Sequence, residues 1–260
     1  GIDILLNLFF GPTVNAARGI ANQVRAAVRR FSDNFQMALN PQITKSYASG
    51  DIFYMHQLIF ASSRYSFFLL WFLSLPLMLE IQQVLSWWLT TVPAHTATFV
   101  ILMLLISMID TLANPLIHGA SATGHVRKYQ TTLGSMLLLI VPISYIALKM
   151  GCPPEGVFIV HFIIVILTQY VRLLLLRPMI NFSIRAYIRQ AVVPILIVGI
   201  TSMLCPIVIR FSMPETFTRF LCVCLGSVLS TSICIYFMGL TVVERSKINE
   251  KIRSIFIKSK

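Results

Sequence analysis

The sequence predicts an all-α, polytopic transmembrane helix bundle, and three observations carry that expectation. Apolar residues fill 57% of the 260 positions and charged ones only 12%, with a mean hydropathy of +0.80, a balance that leaves too little polar surface for a water-soluble domain. Apolar runs recur over 58–79, 97–123, 129–149, 156–176, 191–211 and 217–240, each near the ~20 residues that cross a ~30 Å hydrocarbon core. They stay apolar for about twenty residues instead of alternating over about ten, which argues against a barrel. A striped helix near the start brings the expectation to seven spans and one helix remnant.

The remnant is the opening GIDILLNLFF, too short to span by itself. It reads as the end of a helix that starts upstream, so the chain is expected to be the C-terminal part of a longer protein. Asp3 and Asn7 lie four apart and share a face of it.

The segment GPTVNAARGIANQVRAAVRRFSDNFQMALNPQ follows. Asn15, Arg18, Asn22, Arg25, Arg29, Asp33, Gln36 and Asn40 recur at three- and four-residue steps, which stacks them on one helix face. Ala17, Ala21, Val24, Val28, Phe31, Phe35 and Ala38 form the other face. An arginine at the bilayer centre costs about 2.5–3.5 kcal/mol even on the lenient insertion scale. A stripe of three therefore predicts the wall of a solvated, anion-attracting pathway; the alternative is internal pairing with Asp3, Asp33 or Asp110. Arg30 falls off the stripe and is expected at the interface.

The span ILMLLISMIDTLANPLIHGASATG carries a second polar seam of Ser107, Asp110, Asn114, His118 and Ser121 within one third of its circumference. Pro115 lacks an N–H and frees a backbone carbonyl one turn earlier. An acid in mid-membrane is a functional candidate, here a proton or Na⁺ coupling site at Asp110, Asn114 and His118. Pairing of Asp110 with a stripe arginine is the structural alternative. A third seam holds His161, Thr168, Gln169 and Arg172. Arg172 and Arg177 are expected to snorkel to the interface, with His161 and Gln169 as interhelical hydrogen-bonding groups.

The net charge of +12 follows the loops. Lys45 and Arg64, then Arg127 and Lys128, then Arg172, Arg177, Arg185 and Arg189 mark alternate loops, and Arg245, Lys247, Lys251, Arg253, Lys258 and Lys260 fill the tail. The intervening loops hold Lys149, Arg210 and Arg219. This bias predicts a cytoplasmic C-terminus by the positive-inside rule, and no nucleic-acid partner. The tail, with Ile248, Ile252, Phe256 and Ile257 among its basic residues, is expected to meet solvent or anionic headgroups. Cys222 and Cys224 lack a second ligand pair, and the five histidines form no HExxH-type cluster, so no metal or other cofactor is indicated.

The stretches ILLNLFFGPTVNAARGIANQV, FQMALNPQITKSYASGD and LPLMLEIQQVLSWWL resemble the start of the second lobe of polysaccharide flippases of the multidrug/oligosaccharidyl-lipid/polysaccharide exporter superfamily. A polar helix after an FGP-like turn ends in a P-x-[IV/F]-[ST]-like element, here Pro41, Gln42, Ile43 and Thr44. The resemblance covers residues 1 to about 130, then thins to Pro153–Pro154 and Arg177–Pro178. It implies two pseudo-symmetric bundles around a central cavity, with residues 1–180 as the second bundle, 181–243 as two additional spans and 244–260 as a basic cytoplasmic tail. The first bundle, or a second half in its place, is then a required partner.

The function it implies is transport, not enzymatic chemistry: flipping of polyprenyl-diphosphate-linked oligosaccharide across the cytoplasmic (inner) membrane by alternating access, for the export of surface polysaccharide such as O-antigen or lipopolysaccharide. Arg18, Arg25 and Arg29 would hold the diphosphate through planar, permanently charged guanidinium forks. Asn15, Asn22, Gln36 and Asn40 would bond sugar hydroxyls, while the lipid tail stays among membrane lipids. A multidrug antiporter of the same superfamily is the alternative, disfavoured because arginines repel organic cations. A membrane-embedded glycan-processing enzyme would want a larger outer loop.

Overall fold

Helix follows helix in a computed structural model that describes residues 1–246 and 249–250, with no strand among the described residues. The elements are α1 (Ile2–Phe10), α2 (Pro12–Ala48), α3 (Ile52–Leu79), α4 (Ile81–Trp88), α5 (Thr96–Ala122), α6 (Arg127–Lys149), α7 (Gly156–Ile180), α8 (Ile184–Ser212) and α9 (Phe217–Gly239). Six of them, α3 and α5 to α9, are long and apolar enough to cross a membrane, as in a multi-pass membrane protein. The expected seventh, α2, differs: its 37 residues reach about 55 Å at 1.5 Å per residue, yet its polar stripe keeps it out of the apolar set. Most of the predicted basic tail, with its four apolar residues, lies outside the described residues.

Gly11 makes the turn between α1 and α2 at φ 80°, a left-handed backbone that side chains with a Cβ disfavour. Pro12 then opens α2, where its missing N–H has no helical partner to lose. Asp51 caps α3 by accepting from the Tyr54 N–H at 2.9 Å.

The bundle is organised around α5, which contributes to three apolar clusters. One, near the Pro12 end of α2, joins Leu6, Ala17, Ala21, Leu85, Phe99, Val100 and Phe158. A second, near the Ala48 end, joins Ile43, Ile59, Leu116, Tyr129, Leu176 and Tyr187. The third packs α3 against α8 and α9 through Phe68, Trp71, Leu75, Ile195, Val198 and Val223. Small hydroxyls are buried where helices meet, among them Ser62, Ser66, Ser107, Ser202, Ser227 and Thr231, as expected where close backbone approach matters more than apolar bulk. On α9 the outward residues Leu221, Leu225, Leu229, Ile233 and Phe237 are exposed at four-residue steps while Val223, Ser227 and Thr231 face inward. That arrangement suits lipid outside and protein inside.

Three prolines create the fasteners between these helices. Pro115, Pro194 and Pro206 have no N–H for the carbonyls four residues earlier, and a side chain from a neighbouring helix donates to each. Gln36 Nε2 reaches Thr111 O at 2.8 Å, Arg64 Nη1 reaches Gln190 O at 3.1 Å, and Ser230 Oγ reaches Ser202 O at 3.0 Å. In hydrocarbon every such carbonyl needs an internal donor. Around Pro194 the helix widens into a π turn at Ile188–Val192, a familiar accommodation of an interrupted hydrogen-bond ladder.

Arg172 departs from the expected snorkelling. It is only 6% exposed, donates through Nη1 to the Tyr129 hydroxyl at 2.9 Å and lies over that ring at 5.7 Å. The aromatic partner from α6 holds the guanidinium inside the bundle, whereas Arg177 remains exposed.

Candidate functional site

The polar stripe of α2 turns inward, towards α5 and α7, and divides into three sections along its length. Nearest the α1 turn, Asn15 lines an open cleft of about 300 Å³ with Asp3 and Asn7. Asp3 also forms an ion pair with Arg18, one turn further along. The face shared by Asp3 and Asn7 on α1 therefore does meet the striped helix.

In the middle section Arg18, Asn22 and Arg25 face His161 of α7 across a small cleft of about 70 Å³, floored by Ile2, Met103, Ile106 and Phe158. The Arg25 Nε is buried with no hydrogen-bond partner. His161 was expected to join helices by a hydrogen bond and instead forms a wall of this cleft. Its α7 neighbour Gln169 likewise leaves its Nε2 buried and unpartnered.

The third section is a polar interlock with α5. Arg29 Nη1 donates to Asp110 Oδ2 at 3.3 Å and its Nε to Asp33 Oδ1 at 3.3 Å. One turn on, Ser32 Oγ and Thr111 Oγ1 are 3.2 Å apart. Gln36 is fully buried; beyond its bond to Thr111 O, its Oε1 accepts from Asn114 Nδ2 at 2.6 Å. Ser32 and Thr111 were not among the sequence candidates. Their signal was present, since Ser32 sits between Arg29 and Gln36 on the same face and Thr111 follows Asp110.

The candidates thus do not form one pocket. Arg18 and Asn40 are 22 residues apart, about 33 Å along a helix, so no single headgroup touches both at once. Asn40 leaves its Oδ1 buried without a partner beyond the interlock, and His118 is half-buried further along α5. All three carboxylates considered as internal partners are engaged: Asp3 with Arg18, and Asp33 and Asp110 with Arg29. Arg25 stands between these pairs without an acidic contact among the described residues.

A larger groove of about 560 Å³ lies on the other side of α2. It is walled by Phe35, Tyr65, Phe68, Leu69, Phe72, Tyr236 and Leu240 and has almost no polar surface. Val28 and Phe31 of the apolar face line a neighbouring groove with Pro76 and Phe220. So α2 separates a charged interior from two apolar grooves.

Electrostatic contacts outside the stripe tie α9 and the residues just after it to α3, at its Leu79 end and midway along it. Arg64 pairs with Glu244, and Arg219 Nη2 donates to Glu80 Oε2 at 2.9 Å with both side chains buried. Glu244 also closes a capping box with Thr241: the Thr241 N–H donates to Glu244 Oε2 at 2.7 Å, and the Glu244 N–H to Thr241 Oγ1 at 3.4 Å. Burial pushes the Glu244 carboxyl up, but the Tyr65 hydroxyl, the Thr241 donors and the Arg64 charge outweigh it and leave it below its usual range. At the starts of α5 and α7, His95 meets Glu155.

No protein-family model, curated protein or solved structure matches this chain.

Proposed function

We propose that this chain is part of a transporter that carries an anionic, lipid-linked glycan across the cytoplasmic membrane, with α2 as a seventh span whose charged face lines the route. The observation that carries the reading is the unpaired Arg25, set with Asn22 and Arg18 in an interior cleft of an otherwise apolar bundle. A permanently charged guanidinium held there favours a diphosphate, and planar donors match its oxygens. Arg18 and Arg29 join it when they exchange Asp3 and Asp110 for substrate. Asn15, Asn22 and Asn40 then meet sugar hydroxyls, and Gln36 does so only in a state that has released Thr111.

The apolar grooves beside α2 give the prenyl chain a place next to the charged face, so head and tail are served on opposite sides of one helix. At about 70 Å³ the cleft is too small for a diphosphate with sugars, which supports reading this conformation as a closed one. Opening requires α2 and α5 to separate, and the Arg29–Asp110 pair lies across that seam. Protonation of Asp110, or Na⁺ at Asp110 and Asn114, weakens the pair and links ion movement to opening. His118 lies further along the same face of α5 and serves as the proton's next station.

The test is export of the lipid-linked glycan by cells carrying Arg25→Gln at equal membrane level. The proposal expects export to fall at least tenfold, with Arg25→Lys recovering part of it because charge returns without the bidentate geometry. Export at the wild-type rate in Arg25→Gln rejects the proposal.

A further inference from the structure

We infer that the middle cleft binds one small inorganic anion of halide size, held by Arg25. Along the stripe, Arg18 has Asp3 and Arg29 has Asp33 and Asp110, whereas Arg25 has no acidic contact among the described residues; its Nε, like that of Arg18, is buried and unpartnered. Asp33 and Asp110 contact Arg29 and not Arg25, so the partly exposed Arg25 keeps a buried N–H donor with no acceptor; a small anion in the cleft would supply one.

The cleft has the shape and the donors for such an ion. Asn22 offers an amide one turn from Arg25, His161 offers a ring nitrogen from α7, and Met103 and Phe158 close the floor against water. Its volume of about 70 Å³ is roughly twice the ~30 Å³ share of one liquid water. One halide with a single water fits; a diphosphate bearing sugars does not. The ion belongs to the closed state, and its competition with a substrate diphosphate rests on the transport reading, although its binding does not.

Thermal unfolding of the purified full chain in detergent, in sodium chloride or bromide against sodium gluconate at equal ionic strength, tests this. A saturable rise of the midpoint with halide is expected, with an apparent Kd at least tenfold weaker in Arg25→Gln. Arg30→Gln, which removes an exposed arginine outside the cleft, should keep the wild-type response. A midpoint indifferent to the anion, or a halide response that survives in Arg25→Gln, overturns the inference. Should Arg25→Gln fail to fold, bromide anomalous scattering from wild-type crystals decides: a peak at the Arg25 guanidinium supports the site, and its absence there overturns it. Lost glycan export with an intact halide response rejects the anion site alone; lost halide response with intact export rejects the transport reading alone.

Discussion

At the scale of single residues, Gln36 shows how one polar side chain inside an apolar bundle can matter to architecture. Its amide satisfies a carbonyl that Pro115 has orphaned and receives a bond from Asn114. Gln36→Leu leaves both unpaired and is expected to destabilise the protein by about 1–3 kcal/mol. In a Pro115→Ala background the new N–H can serve Thr111 O within the helix, so the same substitution should do less harm. Thermal unfolding of the four proteins of this cycle checks it; equal penalties in both backgrounds would separate Gln36 from the proline. The stripe itself was legible because charge and amide groups repeat at the helical period, and the freed carbonyl was legible from Pro115. The donor that takes that carbonyl was not, since no local pattern says which of several polar groups on α2 will lie opposite Thr111. Arg172 was misread for a related reason: end-of-span arginines usually reach water, and nothing near it in sequence announces Tyr129 on another helix.

At the scale of elements, α3 acts as the post to which α8 and α9 are fastened. Glu80 and Arg219 meet at its Leu79 end, Arg64 and Glu244 midway along it, and Trp71 Nε1 donates to Ser202 Oγ at 2.8 Å between them. Phe68 also lies where a Cβ on Gly239 would fall, 2.8 Å from its ring, so the end of α9 approaches α3 more closely than a larger residue permits. Removing one partner of a buried pair strands the other charge. Arg219→Ala is therefore expected to destabilise by about 3–5 kcal/mol, whereas the double change Arg219→Leu with Glu80→Leu should be much milder. Unfolding midpoints of the single and double variants check this, and equal losses would deny the pair its role. The depressed Glu244 carboxyl gives a pH signature as well. Its contribution is complete above the ordinary carboxylate range and is lost as pH falls through its lower folded value. The stability difference between wild type and Glu244→Gln should accordingly shrink on acidification; a difference that is flat from neutral to acidic pH contradicts the assignment. None of these pairs was readable beforehand, because their members stand 139 and 180 positions apart. The six spans were readable from apolar length, a local property, but the starts of α3 and α8 lie six and seven residues before the apolar runs begin, because their first turns carry polar residues.

At the scale of the whole molecule, the bundle keeps an apolar interior, presents further large apolar residues outward, and buries a few charges, Arg64, Glu80, Arg172 and Arg219, between its helices. The division of α2 into an open cleft, a small cleft and an interlock gives its charged face an order along the helix, which a linear stripe in the sequence does not reveal. On the proposed transport reading, the small cleft and the Arg29–Asp110 pair belong to a closed conformation, and that reading requires another in which α2 and α5 stand apart. The central claim is that a polyprenyl-diphosphate glycan passes along the charged face of α2 through Arg25. Its most direct test is flipping of a fluorescent lipid-linked glycan in vesicles reconstituted with the full native protein, wild type against Arg25→Gln. The account predicts protein-dependent flipping by the wild type and at least a tenfold loss in the variant; equal rates in the two, or no flipping above protein-free vesicles by the wild type, would contradict it.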